Sequence, residues 1–168
     1  FDYGQRHRKE IQAARAVAQA AGVRLEVVQI ALPWKGSSLL DGKVRLPSGG
    51  VKKGVIPSTY VPARNIIFLG FAASFAEAVG AGAIFIGANA LDYSGYPDCR
   101  PAFFKAFQKA LDAGLKAGVE RHGVRIETPL LGMSKARIIR LGLKLGVPYE
   151  KTWSCYQGRR HPCGVCDS

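Results

Sequence analysis

The stretch that decides the fold is "ARNIIFLGFAASFAEAVGAGAIFIGAN", residues 63 to 89. Residues 63–82 are apolar nearly all round, a pattern that predicts a buried helix. The short apolar run 83–89 follows directly and is typical of a buried strand in a parallel sheet. A helix that leads through glycines into a buried strand is characteristic of α/β proteins, so the flanking segments should continue the alternation.

The flanking segments do continue it. Apolar residues recur at helical spacing over three further ranges, 5–22, 101–118 and 134–146. Gly22 stands where a helix-ending glycine belongs. Two more segments are predicted to be strands, 23–32 and 124–131. The sequence therefore predicts an α/β fold with a mostly parallel sheet, in which ligands bind beyond the carboxyl ends of the strands.

Composition and charge narrow the class of protein. The chain has 168 residues, of which 48% are apolar and 21% charged, which is typical of a globular protein. No apolar run reaches about 18 residues and no signal peptide is visible, so we expect no membrane span and a cytoplasmic location. The net charge of +12 indicates anionic partners such as nucleotides, acidic small molecules or RNA, although it also serves solubility.

The tail "TWSCYQGRRHPCGVCDS", residues 152–168, carries the strongest chemical signal. Cys163 and Cys166 have the spacing of a zinc knuckle, and Cys155 lies eight residues before Cys163. A redox cysteine pair is the alternative, but it would not need the third cysteine. We therefore predict a zinc-binding tail. Candidates for a fourth ligand remain open: His161, Cys99, Asp167, or a residue immediately past Ser168.

A second signal lies in the loop that follows the strand at 83–89. It crowds acidic, amide, aromatic and basic side chains together: Asn89, Asp92, Tyr93, Tyr96, Asp98 and Arg100. Carboxylate and amide groups can recognise the polar edge of a purine-like ring, a tyrosine can stack on it, and an arginine can bind a carboxylate. A turn built on Ser94-Gly95 and Pro97-Asp98 is the plainer interpretation. We predict both a turn and a binding role.

Two cations stand at predicted helix starts, where the helix dipole disfavours positive charge. They are Arg64, beside Asn65, and Lys135. A bound phosphate would resolve this conflict, so these residues are candidates for an anion site. By contrast, "PSGGVKKG", residues 47–54, only superficially resembles a phosphate loop, and we interpret it as a surface loop within the long connection 33–60.

Five long motifs together resemble the family of 7-cyano-7-deazaguanine synthases, the nitrile-forming enzymes of queuosine-precursor synthesis. They are "FDYGQRHRKEI", "IPSTYVPARNIIFL", "IFIGANALDYSGYPDCRPAFFKAF", "TPLLGMSKARIIRLGLKLGVPYEKTWSCY" and "CGVCDS". The resemblance covers nearly the whole chain apart from residues 33–54. It implies an adenine-nucleotide α-hydrolase-like, Rossmann-like fold of the PP-loop group, with an α/β domain over 1–151 and a zinc-binding tail over 152–168.

The resemblance also implies a reaction. Such enzymes use ATP, with Mg²⁺, to adenylate 7-carboxy-7-deazaguanine, add ammonia to give an amide, and dehydrate the amide with a second ATP. Arg64, Asn65 and Lys135 would then bind the nucleotide, with Arg64 and Lys135 catalytic. The substrate-binding set would be Asn89, Asp92, Tyr96, Asp98 and Arg100. The metal ligands would be Cys155, Cys163 and Cys166. A homodimer is implied, with no direct nucleic-acid partner.

Two departures from the family pattern lead to an expectation about the ends of the chain. The Ser-Gly-Gly-x-Asp-Ser loop of the family is expected just before Phe1, and a further cysteine just after Ser168. On that basis the chain is expected to be a fragment without nitrile synthesis of its own. Two other functions stay open: a PP-loop adenylating enzyme with a different acceptor, and a zinc-bearing RNA-binding module.

Overall fold

The computed structural model describes residues 1–34, 36–47, 55–120 and 122–166, except for the side chains of Tyr93 and Ser94. Six α-helices and two strands lie in these residues: α1 (Lys9–Ala20), α2 (Arg64–Val79), β1 (Ala83–Phe85), α3 (Ala90–Gly95), α4 (Pro101–Gly114), α5 (Lys116–Val119), β2 (Arg125–Glu127) and α6 (Lys135–Lys144). Two 3₁₀ turns occupy Pro97–Cys99 and Tyr149–Lys151. None of the described helices is both long enough and apolar enough to cross a membrane.

The chain divides into two compact units. The first comprises Phe1–Pro62 and Arg140–Ser168, and the second comprises Ala63–Ile139. The cysteine tail therefore belongs to the same unit as the amino-terminal segment. The predicted separation of a domain 1–151 from a tail 152–168 stays a prediction.

The second unit contains a two-stranded parallel sheet, which confirms the predicted α/β class. Its strands β1 and β2 pair Ile84 with Ile126. The connection between them runs through α3, α4 and α5, as parallel strands require. Gln108 of α4 fastens the helix to β2, since its side-chain amide donates to the carbonyl of Val124 at 3.0 Å and accepts from the backbone N–H of Ile126 at 2.8 Å.

The core of this unit lies where α2, the strands and α4 meet. Its buried members are Leu69, Ala88, Cys99 and Phe104. Partly buried apolar side chains pack around them: Ile84, Ile86, Tyr96, Phe103, Phe107, Ile126 and Leu131. The prediction that α2 is buried all round was wrong for one side of the helix, because Ile66, Phe71 and Phe75 are each about half exposed.

The segment 23–32 forms much less strand than its composition predicts. It makes one isolated parallel bridge, between Asp2 and Gln29. Two backbone hydrogen bonds hold it, from Asp2 to Val28 at 2.9 Å and from Ile30 to Asp2 at 2.8 Å. High β-propensity yields an extended ladder only where a partner backbone runs alongside, and among the described residues this segment has one such contact.

Gly22 ends α1 as predicted. Its φ of 64° is left-handed, a conformation that glycine adopts without a steric penalty. The backbone N–H of Gly22 donates to Gln19, and that of Val23 donates to Ala18 at 3.0 Å. This pair of bonds is a Schellman motif, which satisfies carbonyls that the end of the helix leaves open.

Gly142 of α6 offers a test of packing in the first unit. It is buried, and a Cβ placed on it would overlap the hydroxyl of Tyr149. We expect Gly142→Ala to lower the free energy of unfolding by about 1–3 kcal/mol, because overpacking outweighs the gain in helix propensity. The matched control is Gly70→Ala within α2, where a Cβ meets no atom within 4 Å.

Gly70→Ala should be neutral or stabilise by about 0.5–1 kcal/mol, since alanine favours the helix. Urea denaturation of both variants measures the difference. Equal effects at the two positions would contradict the close contact between Gly142 and Tyr149.

Candidate functional site

The three tail cysteines converge as metal ligands should. The Sγ atoms of Cys155, Cys163 and Cys166 all lie within 4.8 Å of one another, and those of Cys155 and Cys166 are 3.9 Å apart. Thiolates on a tetrahedral zinc ion, each about 2.3 Å from the metal, are separated by about 3.8 Å. A disulfide would bring two sulfur atoms to about 2.0 Å. None of the three cysteines forms a disulfide, and the distances between their sulfur atoms fit a shared metal ion.

Local hydrogen bonds position these thiols. Cys155 is buried, and its carbonyl accepts from the indole N–H of Trp153 at 2.8 Å. Its Sγ accepts from the backbone N–H of Cys163 at 3.3 Å. Gly164, with a φ of 70°, allows the turn between Cys163 and Cys166. The chain is thus folded into a binding geometry by its own backbone.

The same backbone makes Cys163 easier to ionise. A hydrogen bond from the backbone N–H of Val165 and contacts with the other two cysteines lower the pKa of its thiol to about 7. A thiol must lose its proton to bind a metal, so this shift favours the ligand form near neutral pH.

A fourth ligand is not visible among the described residues. No His, Asp or Glu atom of that part of the chain joins the three Sγ atoms at their spacing, and His161 is exposed outside the group. Cys99 lies in the second unit, where burial and the nearby charge of Asp98 raise the pKa of its thiol to about 12. A thiol with a pKa this high is poorly suited to nucleophilic attack, and Cys99 is not part of the three-cysteine group. The remaining candidate within the chain, Asp167, lies outside the described residues.

Helix α1 helps to hold the tail. The ammonium group of Lys9 donates to the carbonyl oxygens of Arg159 and Arg160, and it lies 4.3 Å from the centre of the Trp153 ring. The contacting residues are about 150 positions apart in the sequence, so no local sequence pattern predicted the contacts. The basic residues of α1 and the tryptophan two positions before Cys155 were the only sequence signals of these contacts.

In the second unit, the predicted turn after β1 is a short helix. Asn89 caps α3 by accepting from the backbone N–H of Leu91 at 2.9 Å. Asp92 completes a capping box, since its Oδ2 accepts from the backbone N–H of Asn89 at 3.2 Å and from its side-chain amide at 2.6 Å. Two predicted substrate ligands are therefore bonded to each other.

Arg64, Asp92 and Lys135 come within electrostatic reach of one another. Burial raises the pKa of Asp92, while the hydrogen bonds from Asn89 and the charges of Lys135 and Arg64 act in the opposite direction. Arg64 and Lys135 are the first residues of α2 and α6, as predicted. The fold therefore brings two candidate phosphate ligands to one acidic group of the predicted binding loop.

Asp98 connects that loop to the start of α2. Its carboxyl group is buried, and Oδ2 accepts from the backbone N–H of Asn65 at 2.9 Å. The side-chain amide of Asn65 in turn donates to the carbonyl of Asp98 at 3.1 Å and to the Sγ of Cys99 at 3.0 Å. Asp98 thus satisfies a backbone donor that the first turn of a helix leaves open.

Two other predicted ligands lie apart from this network. Tyr96 is half-buried and packs against the core, and Arg100 is exposed at the start of α4. The side chain of Tyr93 lies outside the described residues, as does most of the segment 47–54. Whether the substrate-binding set acts as a unit stays a prediction.

Comparison with known proteins gives a consistent result. The sequence profile of the family "Queuosine biosynthesis protein QueC" matches residues 1–168. The chain is 52% identical to 7-cyano-7-deazaguanine synthase of Synechococcus sp. over 170 aligned residues, which include all of this chain and 75% of that protein. It is 53% identical to the synthase of Thermoplasma acidophilum, covering 71% of it, and 52% identical to that of Prochlorococcus marinus, covering 75%.

The cysteine geometry predicts the metal content of each cysteine variant. Purified under reducing conditions, the chain should contain about one zinc ion. Serine at position 155, 163 or 166 should remove most of it, because each substitution deletes one thiolate. Cys99→Ala is the control and should retain the metal, since Cys99 is not part of the group. Elemental analysis of the four variants measures this, and equal zinc in all of them would contradict the assignment.

The raised pKa of Asp92 predicts how stability depends on pH. Below its ordinary pKa of 3.8 the carboxyl group is neutral in both folded and unfolded chains. As the pH rises from there through the raised folded pKa, the unfolded chain loses the proton first, so the folded state is progressively destabilised. Asp92→Asn keeps an oxygen acceptor but removes this titration.

The free energy of unfolding of the native chain minus that of Asp92→Asn should therefore fall as the pH rises through this window. Chemical denaturation at several pH values measures it. A difference that grows with pH would mean that the pKa of Asp92 is lowered rather than raised. The exposed Glu150→Gln substitution, in the first unit, is the control.

Proposed function

Because the chain belongs to the family of queuosine biosynthesis protein QueC, we propose that the protein carrying this chain forms 7-cyano-7-deazaguanine from 7-carboxy-7-deazaguanine and ammonia at the expense of ATP. One observation carries the proposal: the family match extends over residues 1–168. The synthases that are 52% and 53% identical to the chain support the proposal. The family match and these relatives together identify a ligase of queuosine biosynthesis.

The chemistry requires an activated carboxylate, since a free carboxylate is a poor electrophile. Transfer of an adenylyl group from ATP gives a carboxyl-AMP and releases pyrophosphate, and ammonia then displaces AMP to give the amide. A second ATP drives the dehydration of the amide to the nitrile. Negative charge builds up on the leaving phosphate groups in each activation step, so fixed cations beside them lower the barrier.

We propose that Arg64 and Lys135 supply those cations. The positive charges of both residues favour the ionised form of Asp92 in the binding loop. Both residues also stand at helix starts, where backbone N–H groups could bind a phosphate as well. Asn65 would bind the nucleotide beside Arg64. Its two hydrogen bonds with Asp98 hold it in place for this task.

The substrate-binding set would recognise the deazaguanine acid. Arg100, which is exposed, is suited to the carboxylate. Asn89 and Asp92 would read the polar edge of the ring, and Tyr96 would contact its face. Asp98, which is buried and bonded to Asn65, would act chiefly by positioning Asn65 and the loop.

We propose that Cys155, Cys163 and Cys166 hold a structural zinc ion. The spacing of their sulfur atoms fits it, and zinc would fix the path of the tail. Mg²⁺ would accompany ATP. A cytoplasmic location follows if the cysteines are to remain thiolates, because oxidising compartments convert clustered cysteines to disulfides. A homodimer would cover the exposed apolar side of α2.

The aromatic residues of α4 give the RNA-binding alternative no support. A stacking surface needs exposed rings. Phe103, Phe104 and Phe107 instead contact one another, with ring centres 5.2 and 5.6 Å from Phe103, and they belong to the core of the second unit. An adenylating enzyme with another acceptor would differ in its acid, which competition between several acids would reveal.

Nitrile synthesis tests the proposal directly. The protein expressed from its complete reading frame, given ATP, Mg²⁺, ammonium and 7-carboxy-7-deazaguanine, should yield the nitrile, detected by mass spectrometry. Lys135→Gln should lower kcat about tenfold or more, because it removes a charge near the phosphates. Lys144→Gln, at the other end of α6, is the matched control and should leave the rate unchanged.

Pyrophosphate release with other acids but no nitrile from this one would favour a different acceptor. No ATP consumption with any acid would overturn the proposed function. Equal losses in the two lysine variants would remove Lys135 from the catalytic set.

A further inference from the structure

The first unit contains a cleft of 490 Å³ that the roles assigned above do not use. Three arginines line it, Arg6, Arg45 and Arg159, together with the polar side chain of Gln157 and the apolar Val165. They come from three distant parts of the sequence: the amino-terminal segment, the long connection after residue 32, and the cysteine tail. Only the fold brings them to one cavity.

The charge of this cleft is uncompensated in the described part of the chain. Among the described residues, no aspartate or glutamate lines the cleft, and none of the ion pairs includes any of its three arginines. Three guanidinium groups around one cavity repel each other, which costs free energy unless an anion enters. The positive charge of the cleft therefore favours the binding of a multiply charged anion.

Arg6 is held ready for such a ligand. Its guanidinium group donates to the carbonyls of Gly42 at 2.8 Å and Val44 at 3.2 Å, and its backbone N–H donates to Leu39 at 3.2 Å. Two carbonyls use only part of its five N–H donors and leave its charge in place. Arg159 is held by its backbone, since its carbonyl accepts from the ammonium group of Lys9. Both arginines are thus anchored through carbonyl groups.

The size and chemistry of the cleft favour linked phosphates. Its volume is more than ten times the roughly 30 Å³ that a water molecule takes up, so one small ion would leave most of it empty. Guanidinium groups match phosphate oxygens with paired hydrogen bonds. We infer that this cleft binds an oligophosphate, either the triphosphate group of ATP or the pyrophosphate that adenylation releases. The inference rests on the proposed function.

The inference also gives the tail a role beyond metal binding. Gln157 and Arg159 lie between Cys155 and Cys163, and Val165 lies between Cys163 and Cys166. A metal ion on these cysteines would fix one wall of the cleft. Removal of the metal should therefore weaken the binding of oligophosphate, even though no ligand atom is shared.

Calorimetric titration of the chain tests the site without turnover. Tripolyphosphate and pyrophosphate should bind saturably at fixed ionic strength, and orthophosphate much more weakly. Arg45→Gln and Arg159→Gln should each raise the Kd for tripolyphosphate about tenfold or more, as expected for the loss of a charged hydrogen-bond donor. Arg15→Gln on α1 removes the same charge from the same unit outside this cleft, and it should change the Kd less than about twofold.

ATP serves to separate the two sources. Weaker ATP binding in Arg45→Gln and Arg159→Gln would identify the cleft as a further site for the nucleotide's phosphates, beside Arg64 and Lys135. Unchanged ATP binding in both variants, with weaker binding of pyrophosphate, would identify it as a site for released pyrophosphate. The inference is overturned if no oligophosphate saturates the chain, or if Arg15→Gln weakens binding as much as the cleft variants do. The nitrile assay is a separate measurement, so a protein that makes nitrile while its cleft variants bind normally would refute this site alone.

Discussion

The convergence of three sulfur atoms is the constraint on which the first unit depends. Cys155 is buried, and Cys163 and Cys166 are joined by a glycine-containing turn. Their sulfur atoms all lie within 4.8 Å of one another, and those of Cys155 and Cys166 are 3.9 Å apart, close to the separation that tetrahedral zinc imposes. Short loops rich in Gly and Arg bury little apolar surface, so they need another source of order. A bound metal ion would supply it, since the free energy of coordination becomes free energy of folding.

In the second unit, the polar groups of the binding loop also hold the fold together. Asn89 and Asp92 cap one short helix, and Asp98 satisfies the first turn of α2 through Asn65. The groups proposed to bind substrate are therefore fixed in position by bonds to each other and to backbone. Such preorganisation means that little ordering remains to be done when a ligand binds. It also means that variants of these residues will report on stability as well as on binding.

Features that depend on residues close together in the chain were mostly predicted from the sequence. Gly22 ends its helix because only glycine accepts that backbone conformation easily, and the cysteine spacing indicated which three thiols the fold brings together. Pairing between segments that lie far apart in the chain could not be predicted from the sequence. Segment 23–32 has strand composition but one bridge, and the loop after β1 is helical because Asn89 and Asp92 form a capping box. The arginine cleft joins residues 6, 45 and 159, which no periodicity connects.

X-ray absorption at the zinc edge, on protein purified under reducing conditions, tests the central claim most directly. We expect sulfur to dominate the first coordination shell, with about three scatterers near 2.3 Å. A shell of nitrogen or oxygen atoms alone, near 2.0 Å, would contradict the account, as would protein that carries no zinc while its thiols remain reduced.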